Sequence, residues 1–283
     1  MQKIFHTPEG VRDIYSQECS RKQKLQEKLH RVFHQYGFED IETPTFEYFE
    51  VFSKEVGTIP SRELYKFFDR EGNTLVLRPD FTPSVSRACA TYFNPEKEVV
   101  SLCYTGNTFI NNSSFRGRLK ETTQMGVERM GDDSPEADAE ILAMTVECLL
   151  ATGLTEFQVS VGQVDYYKAI FAQTGMSQEE EEELRELISQ KNYFGVEELV
   201  KNKNMDKSLA RVLSQLPQMF GSAEILEKAK SLTDNPQALK AVARLEEIYE
   251  LLKVYGYEKY VTFDFAMLSK YHYYTGIIFQ AYT

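Results

Sequence analysis

The sequence predicts an α+β protein in which an antiparallel sheet is flanked by helices and interrupted by a helical insertion. Strand-like and helix-like segments do not alternate regularly, and the chain contains neither a GxGxxG nor a Walker loop, so a doubly wound parallel sheet is disfavoured. Residues 168–252 have almost entirely helical apolar spacing, whereas strand-like sequence returns at 260–265 and 276–282. We therefore predict a core of residues 1–174 and 256–283, with an inserted helical subdomain at 175–255.

The N-terminal part of the chain is predicted to form a helix, a strand, a hairpin and a second helix, in that order. Apolar residues line one face of a helix over residues 16–36, and Ser16 can cap its start. The strand FEDIETP follows, and residues 66–78 are typical of a hairpin that turns across Arg-Glu-Gly-Asn. The second helix is predicted to have Thr82 as its cap and Pro83 in its first position.

A second hairpin is predicted over residues 105–131, TGNTFINNSSFRGRLKETTQMGVERMG. Its return strand places alternate side chains on one face, namely Lys120, Thr122, Gln124, Gly126 and Glu128. Buried polar groups need partners, so a face that carries Gln124 and Glu128 is not expected to be core. A small amino acid would supply an ammonium for Glu128 and polar atoms for Gln124. A solvated sheet face is the alternative.

The remaining elements are predicted from their start and stop signals. A helix opens with a Ser-Pro pair and ends at Gly153, and the strand FQVSVGQ follows. Within the insertion, Ser177 and Glu180 form a capping box, and an Asn-Pro pair opens the last helix. The five consecutive glutamates at residues 179–183 are expected to be exposed, because burying unpaired carboxylates is too costly.

The composition disfavours several classes of protein. A net charge of −11 argues against nucleic acid as a partner, because phosphate binding relies on Lys and Arg. Arg116, Arg118 and Lys120 cluster on the second hairpin and suit a nucleotide phosphate, and a solvated loop is the alternative. No apolar run approaches the roughly 20 residues of a membrane span, and no apolar signal segment opens the sequence. We therefore expect no membrane partner.

The cysteines point to a reduced compartment. The four of them are widely scattered and include no CxxC pair. This spacing predicts neither a zinc site nor a disulfide framework, and it is typical of a cytoplasmic protein. We therefore predict no metal and no cofactor.

Five stretches of the chain, in the same order, resemble the catalytic domain of histidyl-tRNA synthetase, which has the class II aminoacyl-tRNA synthetase fold. They are TPEGVRDIY, IETPTFEYFEVF, LRPDFTPSVSRA, QMGVERMG and FDFAMLSKYHYYTGIIF. The resemblance covers nearly the whole chain apart from the helical insertion. It implies an antiparallel sheet flanked by helices, with a homodimer interface around Pro44 on a strand over residues 41–52.

The resemblance also implies a histidine-binding pocket. Asp80 and Thr82, in LRPDFT, would meet the amino end of the ligand, and the second hairpin would supply a polar pair. Paired tyrosines would close over the imidazole. The implied pocket residues are Asp80, Thr82, Gln124, Glu128, Tyr273 and Tyr274.

The catalytic positions depart from the synthetase pattern. An arginine that would grip the α-phosphate of ATP is replaced by Ile110, and a nearby acidic residue is replaced by Asn112. Ser269 stands where the second arginine would be, whereas Arg118 matches a retained arginine. Loss of one group that stabilises transition-state charge typically costs about 10²–10³ in rate, so no catalytic residue is assigned. The third class II motif and an anticodon-binding domain are not in the sequence, which ends in a strand-like segment, and we expect further sequence beyond it.

A synthetase-like fold with a kept amino-acid pocket and altered ATP positions resembles the regulatory subunits of short-form ATP phosphoribosyltransferases. The resemblance implies a protein without chemistry of its own, a homodimer within a larger hetero-oligomer. It would activate the short catalytic subunit in the first step of histidine biosynthesis and mediate feedback by histidine. The alternatives are a truncated, divergent histidyl-tRNA synthetase and a synthetase-like regulatory or RNA-binding domain of a larger protein.

Overall fold

The computed structural model describes residues 5–53, 59–112, 117–203, 205–268 and 274–283. The chain divides into two compact units, Met1–Asp132 and Asp133–Thr283. Both contain helices and sheets, in agreement with the predicted α+β class. The division of the sequence into a core and an insertion at 175–255 stays a prediction. Within the described residues, no helix is both long and apolar enough to cross a membrane.

The first unit contains two small sheets and three helices among its described residues. The helices are α1 (Ser16–Gln35), α2 (Glu50–Ser53) and α3 (Thr82–Tyr92). The strands are β1 (Glu39–Asp40), β2 (Phe46–Tyr48), β3 (Lys66–Phe68), β4 (Thr74–Leu77), β5 (Val100–Phe109) and β6 (Glu121–Met130). One sheet has the order β1-β5-β6 and the other β2-β4-β3. Every pairing is antiparallel except that of β1 with β5, which is parallel.

Among its described residues, the second unit packs helices around one four-stranded sheet. Its helices are α4 (Pro135–Thr152), α5 (Val164–Phe171), α6 (Gln178–Ser189), α7 (Tyr193–Asn202), α8 (Lys207–Gln215), α9 (Glu224–Ser231) and α10 (Pro236–Tyr255). Its strands are β7 (Gln158–Gln163), β8 (Phe220–Gly221), β9 (Val261–Asp264) and β10 (Ile277–Tyr282), in the order β10-β7-β9-β8. Among the described residues of 175–255, every assigned element other than the two-residue β8 is helical, as the apolar spacing predicts.

Local signals account for the ends of the long helices. The Ser134 side chain accepts a hydrogen bond from the backbone N–H of Ala137 at the start of α4, and Gly153 ends this helix in a left-handed conformation. The capping box of Ser177 with Glu180 is present at the start of α6. Each of these features was predicted from the sequence.

Two predicted caps are wrong. The residue that precedes α1 is Tyr15, whose side chain makes no capping hydrogen bond, and Ser16 is already the first residue of the helix. Thr82 is likewise the first residue of α3 rather than its cap, and its hydroxyl bonds to a distant carboxylate instead. The predicted strand over residues 41–52 is also wrong in extent, since only Phe46–Tyr48 is extended and paired.

The glutamate run lies at the surface, as predicted. Glu179, Glu182 and Glu183 are exposed, and the other two glutamates are half-buried. Glu180 pairs with Lys203 as well as capping its helix, and Glu181 pairs with the Arg185 guanidinium one turn later. The half-buried carboxylates therefore have cationic partners, as the desolvation cost requires.

Candidate functional site

The register of the β5–β6 hairpin fixes which side chains share the candidate face. Gln124 lies opposite Gly106, Gly126 opposite Tyr104, and Glu128 opposite Leu102. Opposed residues of an antiparallel pair point to the same side of the sheet. The predicted alternation of β6 is therefore confirmed.

This face is partly core, contrary to the prediction that Gln124 and Glu128 exclude a core. Helix α3 covers part of it, and one apolar cluster joins the helix to the strand: Phe81, Val85, Cys89, Val100, Leu102 and Tyr104. The polar side chains lie beside this cluster and are half-buried. They are thus held against an apolar wall rather than in open solvent.

Aromatic stacking and a buried arginine form the floor of the site. The rings of Phe81 and Tyr104 are parallel, with centroids 4.2 Å apart, and the guanidinium carbon of Arg78 lies 4.1 Å from the Phe81 centroid. Arg78 donates hydrogen bonds to the carbonyls of Asn107 and Thr43, at 2.8 Å each. Burial lowers the pKa of Arg78. This arginine therefore holds backbone segments together.

Two glycines on the strands allow this floor to form. A Cβ added to Gly106 would lie inside van der Waals contact of Arg78 and Phe81, and one added to Gly126 would do so with the ring of Tyr104. Any side chain at either position would displace the stacked rings. The two glycines thus bring the aromatic pair close to the sheet.

Two acidic side chains face the site. Thr82 Oγ1 donates to Glu128 Oε1 at 2.6 Å, and the backbone N–H of Phe81 donates to Asp80 Oδ1 at 2.7 Å. Burial raises the pKa of Glu128, the hydrogen bond from Thr82 opposes this, and the nearby Asp80 charge adds to the rise. Among the described residues, no Lys or Arg pairs with either carboxylate.

A neutral polar pair lies beside the carboxylates. Gln124 Nε2 donates to the Tyr104 hydroxyl at 3.4 Å. Burial raises the pKa of Tyr104, and the charges of Glu128 and Asp80 raise it further, so the phenol keeps its proton. The structure thus brings together four predicted residues, Asp80, Thr82, Gln124 and Glu128, around the aromatic floor.

Of the other predicted site residues, the structure describes Tyr274 and Arg118. Tyr274 belongs to the second unit, where its backbone carbonyl accepts a hydrogen bond from Lys168 Nζ at 2.6 Å. Arg118 is exposed. Arg116 and Tyr273 lie outside the described residues, as does Ser269. At the positions that depart from the synthetase pattern, Ile110 donates its backbone N–H to Lys120, and the side-chain amide of Asn112 donates to Leu119.

Sequence reasoning missed the residues that form the floor. No role in the site was predicted for Tyr104, Phe81 or Arg78. The hairpin itself contains a signal, because folding it about its loop places Tyr104 opposite a glycine on the polar face. No pattern in the sequence indicates that the guanidinium of Arg78 would lie over Phe81.

Comparisons with known proteins agree with these features. A family model described as histidyl-tRNA synthetase matches residues 10–283. The ATP phosphoribosyltransferase regulatory subunit of Acetivibrio thermocellus is 40% identical over 279 residues, which are 99% of this chain and 67% of that protein. The Clostridium acetobutylicum protein of the same name is 37% identical, over 98% of this chain and 69% of its own length. The chain therefore spans about two thirds of these relatives.

Solved structures show the same relationship. A Bacillus halodurans protein described as an ATP phosphoribosyltransferase regulatory subunit/histidyl-tRNA synthetase superposes with a TM-score of 0.88 at 32% identity, over 99% of this chain and 73% of that one. Histidyl-tRNA synthetase from Nostoc superposes with a TM-score of 0.81 at 20% identity, over 98% and 64% of the two chains, which shows a shared fold. The predicted class II synthetase-like fold is thereby confirmed. The chain belongs to the family of ATP phosphoribosyltransferase regulatory subunits, which has the fold of histidyl-tRNA synthetase.

Proposed function

We propose that this protein activates the short catalytic subunit of ATP phosphoribosyltransferase and makes the complex sensitive to histidine. The names of its relatives support the regulatory role. The observation that supports the effector is the half-buried Glu128 carboxylate, which has a threonine hydroxyl and a second carboxylate beside it but no cation among the described residues. An α-ammonium group would supply a cation to these two carboxylates.

The chemistry of an amino acid matches the site group by group. Its ammonium would lie between Glu128 and Asp80 and donate to their oxygens, which offsets the desolvation of both charges. Gln124 and the Tyr104 hydroxyl offer neutral donors and acceptors for the rest of the ligand. Tyr273 and Tyr274 stay sequence-based candidates for contacts with the imidazole.

Histidine would act by linkage. An effector shifts an assembly between two states only by its difference in affinity for them. We propose that occupation of this site favours the inhibited state of the complex, with a homodimer of this chain as its regulatory part.

The first prediction concerns Glu128 itself. Glu128→Ala should weaken histidine binding at least a hundredfold, about 2.7 kcal/mol, because loss of one partner of a buried ion pair typically costs about 3–5 kcal/mol. The matched control is Glu121→Ala, a carboxylate on the opposite face of β6 whose partner is Asn107. Isothermal calorimetry gives the affinities, and circular dichroism checks that both variants fold.

The same variants separate feedback from assembly. In the complex with the short catalytic subunit, Glu128→Ala should relieve inhibition by histidine while leaving pull-down and basal activation close to wild type. Equal histidine affinity in wild type and Glu128→Ala, or none in either, would remove this site from the mechanism. Failure of the wild-type chain to activate the catalytic subunit would instead contradict the regulatory role.

A further inference from the structure

A second group of polar side chains lies on the other face of the sheet. His30 and His34 are one turn apart near the end of α1, Asp40 is on β1, and Cys103 is on β5. The parallel pairing of β1 with β5 places Asp40 directly opposite Cys103. Side chains alternate along β5, so Cys103 points away from the face that carries Leu102 and Tyr104.

The four side chains converge on one point. Both oxygens of Asp40 are used, Oδ1 at 2.6 Å from His30 Nε2 and Oδ2 at 3.0 Å from His34 Nε2. Cys103 Sγ lies 3.5 Å from Oδ1, and the two imidazole centroids are 4.1 Å apart. The four potential ligand atoms all lie within 4.8 Å of one another.

We propose that these residues form a binding site for a divalent zinc ion. Two imidazole nitrogens, one thiolate and one carboxylate oxygen form a four-ligand set of the kinds that zinc takes in proteins. Zinc bonds of about 2.0–2.3 Å in a tetrahedron separate the ligand atoms by roughly 3.3–3.8 Å. The present spacings are 2.6–3.5 Å around Asp40 and at most 4.8 Å between any two ligand atoms, so zinc binding requires these atoms to shift by about 1 Å or less relative to one another.

The surroundings suit a metal that enters from solvent. The His30, His34 and Asp40 side chains are 39%, 46% and 57% exposed, whereas Cys103 is fully buried beneath them. The ligands lie on a helix and on paired strands, which hold them more precisely than loops would. Bound zinc would tie the end of α1 to the β1–β5 pair, a structural role separate from the proposed effector site.

No sequence motif reveals this cluster. The two histidines have the i, i+4 spacing of a helical ligand pair, but the cysteine is 63 residues beyond the aspartate. The prediction of no zinc site rested on the absence of paired cysteines. A site with a single cysteine from a distant strand lies outside that rule.

Direct metal binding tests the inference. Zn²⁺ should bind with a stoichiometry of one per chain in calorimetry, and Co²⁺ should give the visible bands of tetrahedral cobalt together with a near-ultraviolet thiolate charge-transfer band. Cys103→Ser should abolish the charge-transfer band, and the matched control Cys19→Ser, at a half-buried cysteine outside the cluster, should retain it.

A second variant avoids the buried position. His34→Gln changes an exposed side chain and should weaken zinc binding at least about tenfold, whereas His6→Gln, at an exposed histidine outside the cluster, should not. Added zinc should also raise the melting temperature of the wild type more than that of His34→Gln. Absence of stoichiometric zinc binding, or binding unchanged in both Cys103→Ser and His34→Gln, would overturn the proposal and leave only a hydrogen-bonded cluster.

Discussion

The ionised form of Glu128 lowers the stability of the ligand-free protein, and in the proposed site the same charge would bind the ligand. Burial favours its neutral form, so its pKa is raised relative to that in the unfolded chain. The folded state therefore binds more protons than the unfolded state between the two pKa values, and stability falls as the pH rises through this window. Binding of an ammonium ion favours the ionised form and reverses this effect.

The direction of the Glu128 pKa shift predicts how the stability of the protein depends on pH. Glu128→Gln should stabilise the ligand-free protein more at pH 7 than at pH 4, because the destabilisation that comes with the raised pKa grows as the pH rises. The histidine affinity of the wild type should fall as the pH drops through the raised pKa. Denaturant unfolding at both pH values and calorimetry measure the two effects, and a stability gain that is the same at both pH values would contradict the assignment.

At the residue scale, the sequence predicts the site in part. Period-two alternation places Gln124 and Glu128 on one face whatever the tertiary structure, and the register confirms it. The partner of Thr82 could not be predicted locally, because a helix cap and a carboxylate 46 residues away compete for one hydroxyl. The cap is a local interaction, whereas the carboxylate reaches Thr82 only after α3 packs on the hairpin.

At the element scale, the β5–β6 hairpin contributes residues to both candidate sites, which lie on opposite faces of its sheet. Its polar face depends on the close approach of Tyr104 to Gly126. Apolar periods predict the long helices well, and local capping signals predict the starts of α4, α6 and α10 but not that of α1. The parallel pairs β1–β5 and β7–β9 have no such local signal, because their partners are about 60 and 100 residues apart.

The close contact between Tyr104 and Gly126 in the hairpin can be tested by substitution. Gly126→Ala should destabilise the protein by about 1–3 kcal/mol and weaken histidine binding, because the new methyl group overlaps the Tyr104 ring. Tyr104→Leu in the Gly126→Ala background should recover part of the lost stability, a non-additivity that denaturant unfolding of the four proteins measures. Additive effects would show that the ring and the glycine do not interact.

At the scale of the whole molecule, the five motifs predict the fold class more securely than any single element does. Their order matches the family over nearly the whole chain, and the superposition on the Bacillus halodurans structure agrees. The boundaries of the two units were not predicted, because packing between distant segments decides which helices belong to which sheet. The two-residue β1 lies within the predicted strand FEDIETP, but its parallel pairing with β5 was not predicted.

The last prediction is that the protein does not activate histidine. Transfer to the α-phosphate of ATP concentrates negative charge there, and the two positions that would hold arginines carry Ile110 and Ser269. Histidine-dependent exchange of pyrophosphate into ATP should therefore be undetectable in a preparation that binds histidine by calorimetry, which serves as the control for a folded site. Ile110→Arg alone should not restore exchange, since Ser269 leaves the second position uncharged. Exchange at a synthetase-like rate in the wild-type chain would show that other cations, with Arg118 the first candidate, stabilise the same charge.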